Sequence, residues 1–170
     1  YRDRIASDYP TLFLQMENAV PVNDNYSDYL KLKFLIIDNY VGAKIFGHTR
    51  YRVEAGKFIY NRNSSIVDAF HFRGNNLIGG FKSPYMQTFK LQEGYEFSSH
   101  KPYLAFWYEH HFDGYLFDKI PLLKKSGLTE IINFSSLIRD DIRYFEPGVG
   151  IEGFKLGAID LMRLDYFWSF

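Results

Sequence analysis

The sequence predicts an all-β chain, and within that class an antiparallel transmembrane β-barrel of about eight strands. Three observations carry the prediction. Apolar and polar residues alternate with period two along most of the chain, as they do when successive strand side chains point to opposite faces. The alternating runs are roughly 9 to 13 residues long, near the ~9 to 11 of a tilted membrane-spanning strand and above the ~5 to 6 of an average soluble strand. Aromatic residues make up 19% of the 170 residues, including 14 Tyr and 17 Phe. Barrels need such rings in girdles at both membrane interfaces.

The elements follow in order. In Thr11 to Ala19, Leu12, Leu14 and Met16 oppose Phe13, Gln15 and Glu17, and Pro21 to Asn25 is turn chemistry. In Tyr29 to Asp38, Leu30, Leu32, Phe34 and Ile36 oppose Lys31 and Lys33. Thr49 to Phe58 sets Thr49, Tyr51, Val53 and Ala55 against Arg50, Arg52 and Glu54. A face with two arginines and a glutamate requires water or an ion-pair network. Residues 59 to 84 break the rhythm with Asn61 to Ser65, Gly74 to Gly80 and Pro84, and read as one long loop. Its Phe70, Phe72, Leu77, Ile78 and Phe81 make it too apolar for a free tail, so it is expected to pack on something.

Five strands are expected after the loop. They are Tyr85 to Phe97, Pro102 to Phe112, Leu128 to Ile138, Tyr144 to Glu152 and a last one from Asp160 to Phe170. In the second, Leu104, Phe106 and Tyr108 oppose Glu109 and His111. Asp113-Gly114 marks a turn, and Ile120 to Gly127 a connector. In the last, Met162, Leu164, Tyr166, Trp168 and Phe170 share one face, while Arg163, Asp165, Phe167 and Ser169 share the other. A soluble β-sandwich would alternate in the same way, and strand length is what separates the two architectures.

Composition limits partners and chemistry. Twenty basic residues balance twenty acidic ones, so no nucleic-acid partner is expected. There is no cysteine, hence no disulfide and no thiolate ligand. No run of ~18 apolar residues offers a transmembrane helix, which leaves strand-built membrane proteins open. The chain starts at Tyr1 without Met, and reads as the C-terminal part of a longer protein, with residues 1–170 as part of one barrel domain.

No enzymatic site emerges. Glu109-His110-His111 suggests a metal centre, but on a strand the two imidazoles point to opposite faces, and two convergent ligands fall short of the three or four a site needs. His110 is expected at an aromatic girdle, and Glu109 and His111 in a lumen network. No serine sits in a nucleophile elbow, and Gly148-Val149-Gly150 lacks the lysine and hydroxyl of a phosphate loop. No catalytic residue, metal or cofactor is assigned.

The C-terminal strand resembles that of bacterial outer-membrane β-barrels, in which a final aromatic belongs to the signal read by the assembly machinery. Tyr166, Trp168 and Phe170 would supply it here. Other stretches point further: Val53 to Lys57, Gly74-Asn75, Tyr95 to Phe97, Glu109 to Lys125, Phe145 to Glu152 and Met162 to Trp168. Over most of residues 50 to 170 they resemble uncharacterised outer-membrane proteins of Bacteroidota, which carry a carboxypeptidase-like regulatory domain before a β-barrel. Ser98 to His100 and Glu152 to Phe154 depart from that family's pattern. The family's barrel is similar to the BamA-like superfamily, whose long loop with an Arg-Gly motif folds inside a sixteen-stranded barrel ahead of five strands. Phe72-Arg73-Gly74-Asn75 in the long loop looks like that motif.

The resemblance implies the C-terminal half of an outer-membrane barrel that contacts lipid and the assembly machinery. It would assist assembly or translocation of outer-membrane or surface proteins. The alternatives are a structural or solute-transport barrel that docks other outer-membrane proteins, and a soluble β-sandwich binding module. If the loop enters the lumen, Arg73 needs a carboxylate there. Glu109 is the first expected partner and Glu96 the second.

Overall fold

Hairpin follows hairpin along most of the chain. A computed structural model describes residues 9–22, 26–75, 85–121, 123–156 and 159–170. Its strands are β1 (Thr11–Ala19), β2 (Asp28–Gly42), β3 (His48–Asn63), β4 (Arg73–Asn75), β5 (Thr88–Glu93), β6 (Tyr103–His111), β7 (Thr129–Arg139), β8 (Arg143–Leu156) and β9 (Ile159–Phe167). The class is all-β, with only short 3₁₀ turns between strands of the described residues. Seven strands form one antiparallel sheet in the order β1-β2-β3-β6-β7-β8-β9. The sheet is open: β1 and β9 lie at opposite edges, so closure into a barrel is not seen.

The two faces of the sheet differ in polarity. One face carries Leu12, Leu14, Met16, Ile132, Val149, Met162 and Leu164, all exposed. The other buries Arg52, Glu54, Glu109, His111, Asn133, Arg139 and Glu146. The alternating runs expected from the sequence in β1, β2, β3, β6 and β9 fall on opposite faces as expected. Leu104, for example, is exposed and Glu109 fully enclosed, five residues apart on β6.

Two expectations are corrected. The run from Tyr85 to Phe97 is not a strand of the main sheet. Its β5 pairs in parallel with the three-residue β4, in the segment between β3 and β6. Period-two alternation identifies an extended chain but not the neighbour it pairs with. Here Thr88, Phe89 and Gln92 are all buried because the segment is covered from more than one side. The long loop also starts later than expected, since β3 continues to Asn63, paired through Asn61↔Tyr29 and Asn63↔Asp28.

The segment 64–102 is therefore an insert between β3 and β6, and its described parts pack on the charged face. An aromatic core forms between them from Phe70, Phe72 and Phe89 of the insert and Tyr29, Phe58, Tyr103 and Trp107 of the sheet. Phe70 meets Tyr103 edge-on at 4.8 Å between centroids, Phe72 meets it at 4.7 Å, and Phe89 lies 5.2 Å from Trp107. Gly56 of β3 makes this approach possible, because a Cβ there would collide with the Phe70 and Tyr103 rings. Packing of Phe70 and Phe72 meets the expectation for the loop's apolar residues. Leu77, Ile78, Phe81 and Pro84 lie outside the described residues.

The count of strands after the insert also changes, from five to four (β6 to β9). Parity then matters. With four antiparallel strands to follow, the insert leaves the sheet at the end where β9 finishes. With five, as in the BamA-like arrangement, a loop leaves at the opposite end. The Arg-Gly resemblance therefore does not extend to the loop's position.

Candidate functional site

Charged side chains meet on the covered face in three groups. The first centres on Glu109, fully enclosed in mid-sheet. Arg50, opposite it in register on β3, pairs with its carboxylate. Arg163 of β9 binds its other oxygen at 2.8 Å, and His111 Nε2 lies 2.6 Å away. Arg163 also holds Asp165 at 2.8 Å and donates to Asn133 at 3.0 Å. Gly148 and Gly150 of β8 leave room for the neighbouring β9 side chains: a Cβ there would collide with Phe167 or with Asp165, the carboxylate that Arg163 holds. His111 Nδ1 faces Glu152 at 2.8 Å, and Glu152 also accepts the Thr129 hydroxyl at 3.3 Å.

The second group surrounds Glu54 of β3. One oxygen accepts the Tyr103 hydroxyl at 2.6 Å and Lys33 at 2.7 Å, and the other accepts Arg52 at 2.7 Å. The network expected for the Arg50, Arg52 and Glu54 face is thus formed, through two separate carboxylates.

The third group fastens the insert. Glu146 of β8, fully enclosed, accepts the backbone N–H groups of Lys90 and Leu91 at 2.7 and 2.9 Å and the Tyr144 hydroxyl at 2.7 Å. At the other side Asp68 accepts from Ser27 and Ser65, and its carbonyl takes the Lys31 ammonium at 2.9 Å. Arg139 donates to the Phe97 carbonyl at 2.7 Å. Burial pulls the Lys90 ammonium down to about 8, and the nearby Glu146 charge restores only part of the shift. Burial would raise the Asp68 carboxyl, but the Ser65 N–H and the hydroxyls of Ser27, Ser65 and Tyr29 hold it below its usual range.

The residues singled out from sequence are distributed as follows. Glu109 lies on the covered face, but its partners are Arg50, Arg163 and His111, not Arg73. Arg73 stands exposed at the start of β4 and forms no ion pair among the described residues. Gly74 is buried against the backbone of Gln92 and Glu93, where a Cβ would not fit. Glu96 is exposed in the turn after β5. The Tyr166 and Trp168 rings meet at a tilt of 40°, 5.6 Å between centroids, on the apolar face, and Phe170 is 73% exposed. Pairing with β8 continues to the last residue, with Phe170 and Phe145 exchanging N–H···O bonds at 3.0 and 3.2 Å. His110 and His111 point to opposite faces, His110 bonding Thr49 at 2.8 Å. Glu146 and Arg163 were not singled out. The signal for Glu146 was an acid alternating with glycines on a strand whose other face is Phe145, Pro147 and Val149.

The fold and the charged face together define an all-β protein built on one long-stranded antiparallel sheet with an insert folded over its polar side. A family model matches residues 2–151, described as the C-terminal domain of a family of unknown function, DUF5686. The chain belongs to that family. No curated protein and no solved structure matches it.

Proposed function

We propose that this chain is the wall of a bacterial outer-membrane β-barrel, with its exposed face in lipid and its charged face toward the lumen. One observation carries the reading: one face of the sheet encloses the Arg52–Glu54 and Arg163–Glu109 ion pairs, while Leu12, Leu14, Ile132, Leu164 and Tyr166 stand exposed on the other. A soluble sheet gains stability by the opposite arrangement. Strands of 9 residues in β1 and 16 in β3 match or exceed the ~9 to 11 needed to cross the hydrocarbon at a tilt. The insert supports a narrower choice. It occupies the polar face that an open pore would leave to water, which disfavours simple solute diffusion. The work then falls to the wall and rim, and the reading is a barrel that assists assembly or translocation of outer-membrane or surface proteins. A solute-transport role would require the insert to move aside.

The test has two arms. Phe106→Arg, on the apolar face of β6, is expected to destabilise the folded protein in lipid by about 2 to 4 kcal/mol if the site lies near the midplane. The full-length protein in planar bilayers is expected to show little steady conductance. A folded chain that stays soluble and monodisperse without detergent would overturn the membrane reading. A large, stable conductance would overturn the narrower one in favour of transport.

A further inference from the structure

Between the insert and the sheet lies a cavity of about 320 Å³, lined by Lys33, Arg52, Glu54, Phe72, Arg73 and Trp107 among others. Its charges do not balance. Three cations face one carboxylate, and that carboxylate is saturated by Tyr103, Lys33 and Arg52. Arg73 has no counter-charge among the described residues, and residues 76–84, which follow it, contain no acid in the sequence. Two buried donors also lack partners: Arg52 Nε and the indole N–H of Trp107. Both side chains are more than nine-tenths buried, at 8% and 4% exposure. Unpaired buried donors of this kind are uncommon, and each is costly unless an acceptor meets it.

Every unmet group is a donor or a cation, so the missing partner is an acceptor with negative charge. The walls add the faces of Phe72 and Trp107, with the Arg52 guanidinium 5.8 Å from the Trp107 ring centroid. We infer that this cavity binds a small ligand with an oxyanion head, a carboxylate or a phosphate, on a compact apolar or ring-shaped body. Arg73 and Lys33, the two cations with accessible side chains, hold the head, and the aromatic walls take the body. The volume lies at the lower end of small-molecule sites, ~300 to 1,000 Å³. The site is formed by the insert and the sheet alone and stands whether or not the opposite face meets lipid.

Trp107 itself is the reporter. The chain has two tryptophans, and Trp168→Phe removes the other from the far face. Full-length protein with that change, folded in detergent, is titrated with benzoate, inorganic phosphate, benzyl alcohol and chloride. Saturable quenching by benzoate or phosphate is expected, without a response to benzyl alcohol or chloride. The tighter of the two oxyanions identifies the head as carboxylate or phosphate. Arg73→Gln, at an exposed position that leaves the fold intact, is expected to weaken binding roughly tenfold or more through loss of a charge-assisted bond. No saturable response to either oxyanion, an equal response to benzyl alcohol or chloride, or an unchanged affinity in Arg73→Gln would overturn the assignment.

Discussion

Replacing Glu146 by alanine is expected to release the insert from the sheet while leaving the sheet folded. The carboxylate is fully enclosed and accepts the Lys90 and Leu91 amides at 2.7 and 2.9 Å. Hydrogen bonds to a charged group contribute about 1.5 to 3 kcal/mol each, so two place the local loss at about 3 to 6 kcal/mol. The Tyr144 hydroxyl loses its acceptor as well. At 1.36 kcal/mol per decade, opening of the segment around β5 becomes about two to four orders of magnitude more frequent. Amide hydrogen exchange at Lys90 and Leu91 reads this directly. Both should speed up by that factor, while amides of β6 and β7 such as Trp107 and Leu137 hold their protection. Glu146→Gln keeps one acceptor oxygen and should fall between. If the two amides exchange at the parent rate in a folded Glu146→Ala protein, the carboxylate does not hold the insert and the reasoning fails.

Three further outcomes are expected. Because burial depresses Lys90 to about 8 from its ordinary 10.5, its charged form is disfavoured in the folded protein. That penalty is fully present below pH 8 and is relieved as pH rises from about 8 toward 10.5, so protease resistance of the insert should rise over that window and the rise should vanish in Lys90→Met. Glu109→Ala should cost about 3 to 5 kcal/mol in urea unfolding from detergent, since it removes the carboxylate paired with Arg50 and leaves Arg163 with Asp165 alone. The loss should be smaller in an Arg163→Met background, and strictly additive effects would argue against the pair. Phe170→Asp keeps the backbone bonds to Phe145 but removes the ring. It should lower the level of assembled protein in cells as far as deletion of Phe170 does, and an effect of deletion alone would assign the requirement to strand pairing.

The faces of the sheet were legible because alternation depends only on neighbours along one strand. Leu104, Phe106 and Tyr108 against Glu109 and His111 required no knowledge of what lies beside β6. Pairings were a different matter. Arg50 meets Glu109 only because β3 and β6 are adjacent across the whole insert, and Arg163 meets it from β9, two strands beyond β7 in the sheet. Neither follows from spacing along the chain. For the same reason Arg73, matched by motif to a lumen carboxylate, was given the wrong partner. The run around Phe89 shows the remaining limit: of the alternating Tyr85 to Phe97 only Thr88–Glu93 is strand, between a 3₁₀ turn and a turn at 94–97, and its ladder partner is the short β4.

The insert has a consequence for the order in which the molecule forms. Except at β3 and β6, neighbouring strands in the large sheet are neighbours in sequence, so β1–β3 and β6–β9 can zip as two local meanders with little loop-closure cost. The β3–β6 seam alone must close around residues 64–102. The insert shortens that closure with a clip at its base, where Phe70 and Ser99 exchange backbone bonds at 2.9 and 3.1 Å. It also touches both meanders, Phe58 and Lys31 on one side and Tyr103, Trp107 and Glu146 on the other. It thereby bridges the two meanders across the one seam that local pairing does not close. Changes that loosen it are expected to slow the joining of the halves before they weaken the finished sheet.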